Sequence, residues 1–149
     1  MSVASRLSEL GITLPPPPAA AGLYALCVQT GSLLIISGQI PRGPEARGKL
    51  GGAVTVEQGQ ALARECAINA LGIAADYLGS LDRVVKVVRL GGFVASADGF
   101  TDQPKVINGA SQVMLDVFGE AGRHARAAVG VAELPLGVPV EVEFMFEVA

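Results

Sequence analysis

The chain has 149 residues, half of them hydrophobic, which suits one domain with a sizeable core. A formal charge of -3 and a pI near 5.1, with eleven Lys and Arg that never form a run, give no long-range attraction to polyphosphate and argue against a nucleic-acid partner. A single His, with Cys27 and Cys66 far apart and outside any CxxC, supplies neither a zinc site nor a disulfide framework.

No stretch reaches the roughly 18 apolar residues that a spanning helix needs, and the first ten residues lack the apolar core of a secretory signal. No membrane contact is expected, and a cytoplasmic location follows by default. Residues 3 to 10 can form a short helical turn, which Gly11 and the extended run Pro15 to Pro18 terminate. Residues 1–20 therefore read as a peripheral, solvated N-terminal arm ahead of a single domain over 21–149.

Two strands, Leu23 to Val28 and Leu33 to Gly38, flank a turn in which Gly31 can take a positive φ. The Gly- and Pro-rich segment Pro41 to Gly52 reads as a surface loop. Thr55 and Gln58 have capping-box spacing, and Leu62, Cys66, Ala70, Ile73 and Tyr77 then recur at helical intervals up to Gly79. Val84 to Val94 is apolar on both faces, as in a central strand, and its two charges, Lys86 and Arg89, call for partners at an interface. Pro104 suits the first turn of a second helix running to Phe118.

Strands at Ala127 to Leu134 and Pro139 to Val148 close the chain around the turn Pro135 to Val138. In the last strand Val140, Val142, Phe144, Phe146 and Val148 alternate with Glu141, Glu143, Met145 and Glu147. One face is pure core; the three carboxylates of the other require water or cations such as Lys86, Arg89 or Arg126. The order ββ-α-β-α-ββ gives an α+β fold with both helices on one face of a sheet, whose other face association with further subunits would bury.

Arg126 and Glu141 carry the most chemistry. Their strands read as a closing hairpin, which puts the two residues about 20 Å apart in one subunit, so a shared site needs a second chain or a sharp bend in the strands. His124 reads as a residue of a solvated turn with no relay partner.

The strings LLIISGQIP at Leu33 to Pro41 and HARAAVGVAELPLGVPVEVEF from His124 resemble the RidA/YjgF family, and the likeness spans residues 22 to 148. It implies a chorismate-mutase-like α+β fold and a homotrimer with clefts between subunits that bind small carboxylate-bearing metabolites. By this resemblance Arg126 takes the carboxylate and Glu141 the attacking water, Tyr24 and Ser37 line the cleft, and the backbone of Gly38 borders it. Asn108 matches a second-helix asparagine, with one extra residue between it and Arg126. Ala128 stands where the best-studied deaminases have Cys, a position used through its backbone carbonyl.

The implied reaction is hydrolysis of reactive enamines or imines, such as 2-aminoacrylate, to 2-keto acids and ammonia. It requires no metal or organic cofactor, because the imine carbon is already electrophilic. The alternatives are a non-catalytic trimer that senses keto acids and an L-PSP-type endoribonuclease, the latter disfavoured by the acidic charge and the single His.

Overall fold

A computed structural model describes residues 1–43 and 46–149; Pro44 and Glu45, in the expected surface loop Pro41 to Gly52, lie outside the described residues. The elements are α1 (Val3–Glu9), β1 (Cys27–Thr30), β2 (Leu33–Gln39), α2 (Val56–Leu78), β3 (Val84–Ala95), α3 (Gln103–Phe118), β4 (Ala125–Val131) and β5 (Val140–Val148).

Both main helices begin and end where their sequences stop supporting anything else. Thr55 Oγ1 accepts from Gln58 N–H while the Gln58 side chain accepts from Thr55 N–H, and Gly79 closes α2 in the left-handed region at φ 79°. Pro104 lies in the first turn of α3, where its missing N–H leaves no gap. The helices pack against each other and together cover one face of the sheet. At their crossing Gly109 meets the backbone of Gln60 so closely that any Cβ would clash.

The five strands are ordered β1-β2-β5-β3-β4. β1 and β2 form a hairpin about Gly31 (φ 58°) and Ser32, with Thr30 opposite Leu33. The first strand begins at Cys27 rather than Leu23: residues 25 and 26 instead give their carbonyls to Ser37, whose Oγ–H reaches Ala25 O at 2.6 Å and whose N–H reaches Leu26 O at 2.9 Å.

The expected closing hairpin does not exist. β4 pairs with β3 in parallel, and β5 lies between β2 and β3, antiparallel to both. Composition explains the exchange. β5 sends Val140, Val142, Phe144, Phe146 and Val148 into the core, each side chain gaining about 1.5–3 kcal/mol by burial, so it takes a central place. β4, ARAAVGV, has little to bury and sits at the edge. The connection crosses the end of β3, where Ser96 N–H donates to Val131 O and Ala95 N–H to Pro139 O. Leu136 adopts φ 59° within that crossing.

The N-terminal arm is docked rather than solvated. Leu7 and Ile12 are buried, and Arg6 Nε donates to Asp116 O of α3 at 2.8 Å. On the sheet face away from the helices Val28, Ile35 and Val129 are exposed among the charged residues of β3 and β5. No helix is long and apolar enough to cross a membrane among the described residues.

Candidate functional site

The register sorts the expected site residues into two groups on opposite faces of the sheet. Arg126 aligns with Leu90 and, one strand further, Phe144, both of which point beneath the helices. Glu141 aligns with Phe93 and Val129 and points the other way. The two residues are offset by three positions along the sheet and two strands across it, about 14 Å between backbone positions. The separation anticipated from a hairpin is thus replaced by a shorter one with a face reversal, and Arg126 cannot neutralise the carboxylates of β5.

Around Arg126 the chain builds a basic cluster. Arg126 Nη1 donates to Asn108 Oδ1 at 2.8 Å and to Ser111 Oγ at 3.1 Å, and Nη2 makes a long contact to Pro104 O at 3.5 Å. Asn108 and Ser111 lie one turn apart on α3, so both reach the same strand residue. His124, two residues before Arg126 and therefore on its side of the strand, places Nε2 2.9 Å from Ser111 Oγ and Nδ1 2.7 Å from Gly122 O. The surface reading of His124 without a relay is thereby corrected. Asn108, Ser111, Leu115, Arg123, His124 and Arg126 border an open hollow of about 260 Å³. Ala128, two residues on from Arg126, shares its side of β4 and packs against the core.

The acidic cluster forms where β2 bulges. Ile36 pairs with Phe144 and Gln39 with Val142, so β2 carries one residue more than β5 and turns both Ser37 and Gly38 out of the ladder. The Glu141 side chain lies over Gly38: a Cβ there would come within 2.8 Å of Glu141 Oε2. Glu141 is half-buried, and among the described residues it makes no hydrogen bond or ion pair. Burial first, then the charge of Glu143, raises its carboxyl above the ordinary range. Glu143 itself pairs with Arg89 at 3.3 Å, so the partner that Arg89 requires comes from its own sheet. Tyr24 stands exposed at the near end, its hydroxyl 3.4 Å from Ala21 N, next to the segment that Ser37 ties down.

Tyr24, Ser37, Gly38 and Glu141 therefore belong to one neighbourhood, and Asn108, Arg126 and Ala128 to another. A larger hollow of about 460 Å³ between the outer faces of α2 and α3 includes Asn108 but neither Arg126 nor Glu141. Its lining mixes Glu57, Arg64 and Asp116 without converging on one ligand charge, so the chemistry favours the smaller site. Sequence reasoning missed Ser111, although its i, i+3 spacing from Asn108 was a usable signal. No group of three potential metal ligands occurs among the described residues.

Comparison with known proteins gives a consistent setting. Residues 4–147 match the family described as YjgF/chorismate mutase-like, a description that also names an endoribonuclease. Protein TCP17 of Trypanosoma cruzi is 49% identical over 149 residues, covering 97% of this chain and 93% of that one. The crystal structure of Atu1372 from Agrobacterium tumefaciens, a protein of unknown function, superposes with a TM-score of 0.90 at 41% identity, covering 99% of this chain and 92% of the other. Escherichia coli TdcF, solved with bound serine, gives a TM-score of 0.64 at 26% identity, covering 93% and 98%.

Proposed function

The chain belongs to the RidA/YjgF, chorismate mutase-like family, and from that premise we propose that it is a homotrimeric deaminase hydrolysing small carboxylate-bearing enamines and imines to 2-keto acids and ammonia. The observation that carries this reading is the division of the site. A clamped guanidinium and an unpaired, half-buried carboxylate lie on opposite faces of one sheet, each without the other's help. In a closed ring of subunits the basic cluster of one copy meets the acidic cluster of the next, and the exposed Val28, Ile35 and Val129 are covered.

In that cleft Arg126 fixes the substrate carboxylate by charge-assisted hydrogen bonds worth about 1.5–3 kcal/mol. An enamine first tautomerises to its imine. Glu141 then takes a proton from the water that attacks the C=N carbon and passes it to the nitrogen, and the hydroxyl proton of the resulting carbinolamine follows to nitrogen as the C–N bond breaks, leaving C=O and ammonia. A carboxyl held above its ordinary range suits this exchange, because its basicity lies closer to the working pH. Tyr24 and Ser37 border the ligand, and the carbonyl of Ala128 and the backbone of Gly38 line the cleft. The serine bound by TdcF, itself a small amino acid, supports a ligand of this class.

The test is a coupled assay in which an amino-acid oxidase generates imines in the presence of semicarbazide. Micromolar protein should lower the amount of trapped semicarbazone; unchanged trapping sinks the deaminase reading. Saturable binding of 2-oxobutanoate without turnover would select a sensing trimer instead.

A further inference from the structure

We infer that Ser111 and His124 are positioning residues that hold the Arg126 guanidinium through one directional chain of hydrogen bonds, leaving its Nε–Nη2 edge to receive the ligand carboxylate. The inference rests on the reading of Arg126 as the carboxylate-binding group.

The direction follows from a single backbone carbonyl. Gly122 O can only accept, so His124 Nδ1, 2.7 Å away, carries the proton. In the neutral ring Nε2 is then bare and must accept, so the Ser111 hydroxyl, 2.9 Å away, donates to it. That turns the Ser111 lone pairs toward Arg126 Nη1 at 3.1 Å. The other Nη1 hydrogen goes to Asn108 Oδ1 at 2.8 Å, which fixes the orientation of that amide as well.

Both hydrogens of Nη1 are thus committed. Nε has no acceptor among the described residues, and Nη2 has only the 3.5 Å contact to Pro104 O. The free Nε–H and Nη2–H lie parallel on one edge of the guanidinium, the arrangement that matches two carboxylate oxygens. Ser111 is buried while Arg126 is exposed, so the chain links an anchored interior to a working surface.

His124 is the only histidine, so ¹⁵N-histidine labelling of the full chain gives one unambiguous set of ring signals. The neutral ring should be the Nδ1–H tautomer, and Ser111→Ala should shift it toward the Nε2–H form that predominates in free imidazole. Calorimetry with 2-oxobutanoate supplies a second readout. Ser111→Ala and His124→Asn, whose shorter side chain cannot reach Ser111, should each weaken binding about fivefold, and the double variant should be no weaker than Ser111→Ala alone. His124→Gln, which can place Oε1 at the position of Nε2, should restore the affinity. In imine turnover KM should rise with kcat nearly constant, because Glu141 is untouched.

An Nε2–H parent, tautomers indifferent to Ser111→Ala, or additive losses in the double variant overturn the inference, as does a parent that binds no 2-oxobutanoate. Binding without turnover overturns only the deaminase reading. Should His124→Asn fail to fold, Ser111→Ala and His124→Gln still carry the comparison.

Discussion

The basic and acidic clusters of this chain are finished to different degrees. Around Arg126 one helix supplies two acceptors, Asn108 Oδ1 at 2.8 Å and Ser111 Oγ at 3.1 Å, and a histidine behind them fixes the orientation of the Ser111 hydroxyl. Around Glu141 no donor approaches among the described residues, and its main neighbours are a bare glycine and another carboxylate. A group that grips a ligand charge gains from being held before the ligand arrives, since less freedom is lost on binding. A group that exchanges protons gains instead from an environment that disfavours its anion. The chain builds the first in full and leaves the second open to whatever covers that face.

The largest effects come from removing either group. Arg126→Ala and Glu141→Gln should each lower kcat/KM by about 10²–10⁴, measured in the imine assay, with the proposed trimer's sedimentation unchanged from the parent's. The comparison is sharpened by mixing the two inactive variants after denaturation and refolding. If each site draws its guanidinium from one subunit and its carboxylate from the next, random assembly of equal amounts restores about a quarter of the sites. If one subunit supplied both, no mixture would recover activity, and the division of the site would be refuted.

A smaller effect probes how Glu141 is aimed. Gly38→Ala places a methyl where the Glu141 carboxylate now lies, within 2.8 Å of Oε2. Because the obstacle is the end of a flexible side chain, the thermal midpoint should barely move. The displaced base should lower kcat by about tenfold to a hundredfold. A kcat equal to the parent's would mean that Glu141 works from some other rotamer.

Much of this arrangement is legible in the sequence, and what is not has a physical cause. The capping box at Thr55, the apolar stripe of α3 and the alternation of β5 each follow from nearest-neighbour chemistry, and each is realised in the structure. Strand order is a different kind of quantity. A short connection ordinarily means adjacent strands, yet the turn with Leu136 at φ 59° carries the chain across β3 because Phe144 and Phe146 bury more at the sheet centre than Ala127 or Gly130 could. The bulge at Ser37 and Gly38 appears only once β5 is set beside β2, and the link from His124 to Ser111 only once β4 lies beside α3. Family resemblance selected Arg126, Glu141 and Asn108, but it did not reveal that the first two face opposite ways.

The finest test of the contrast lies in the charge next to Glu141. As the proposed base, Glu141 would work only when ionised, so the rate should fall on the acid side as pH drops through its folded-state pKa. Within one subunit, burial and the Glu143 charge raise that midpoint above the ordinary carboxylate range, before the guanidinium that the next subunit would add. Glu143→Gln removes the second cause and leaves the first, so the acid limb of the kcat/KM profile should move to lower pH without vanishing. The lost ion pair to Arg89 is exposed, at 43% and 44% for the two side chains, and is worth only about 0–1 kcal/mol, so folding should hardly change. Stability gives an independent sign. A carboxyl whose folded pKa is raised binds its proton more tightly when folded, so its contribution falls as pH rises from the unfolded value through the folded one. Glu141→Gln should therefore resist heat better than the parent at neutral pH and lose that advantage in acid. An acid limb unmoved by Glu143→Gln would show that Arg89 already screens the charge, leaving burial alone to hold the base in tune.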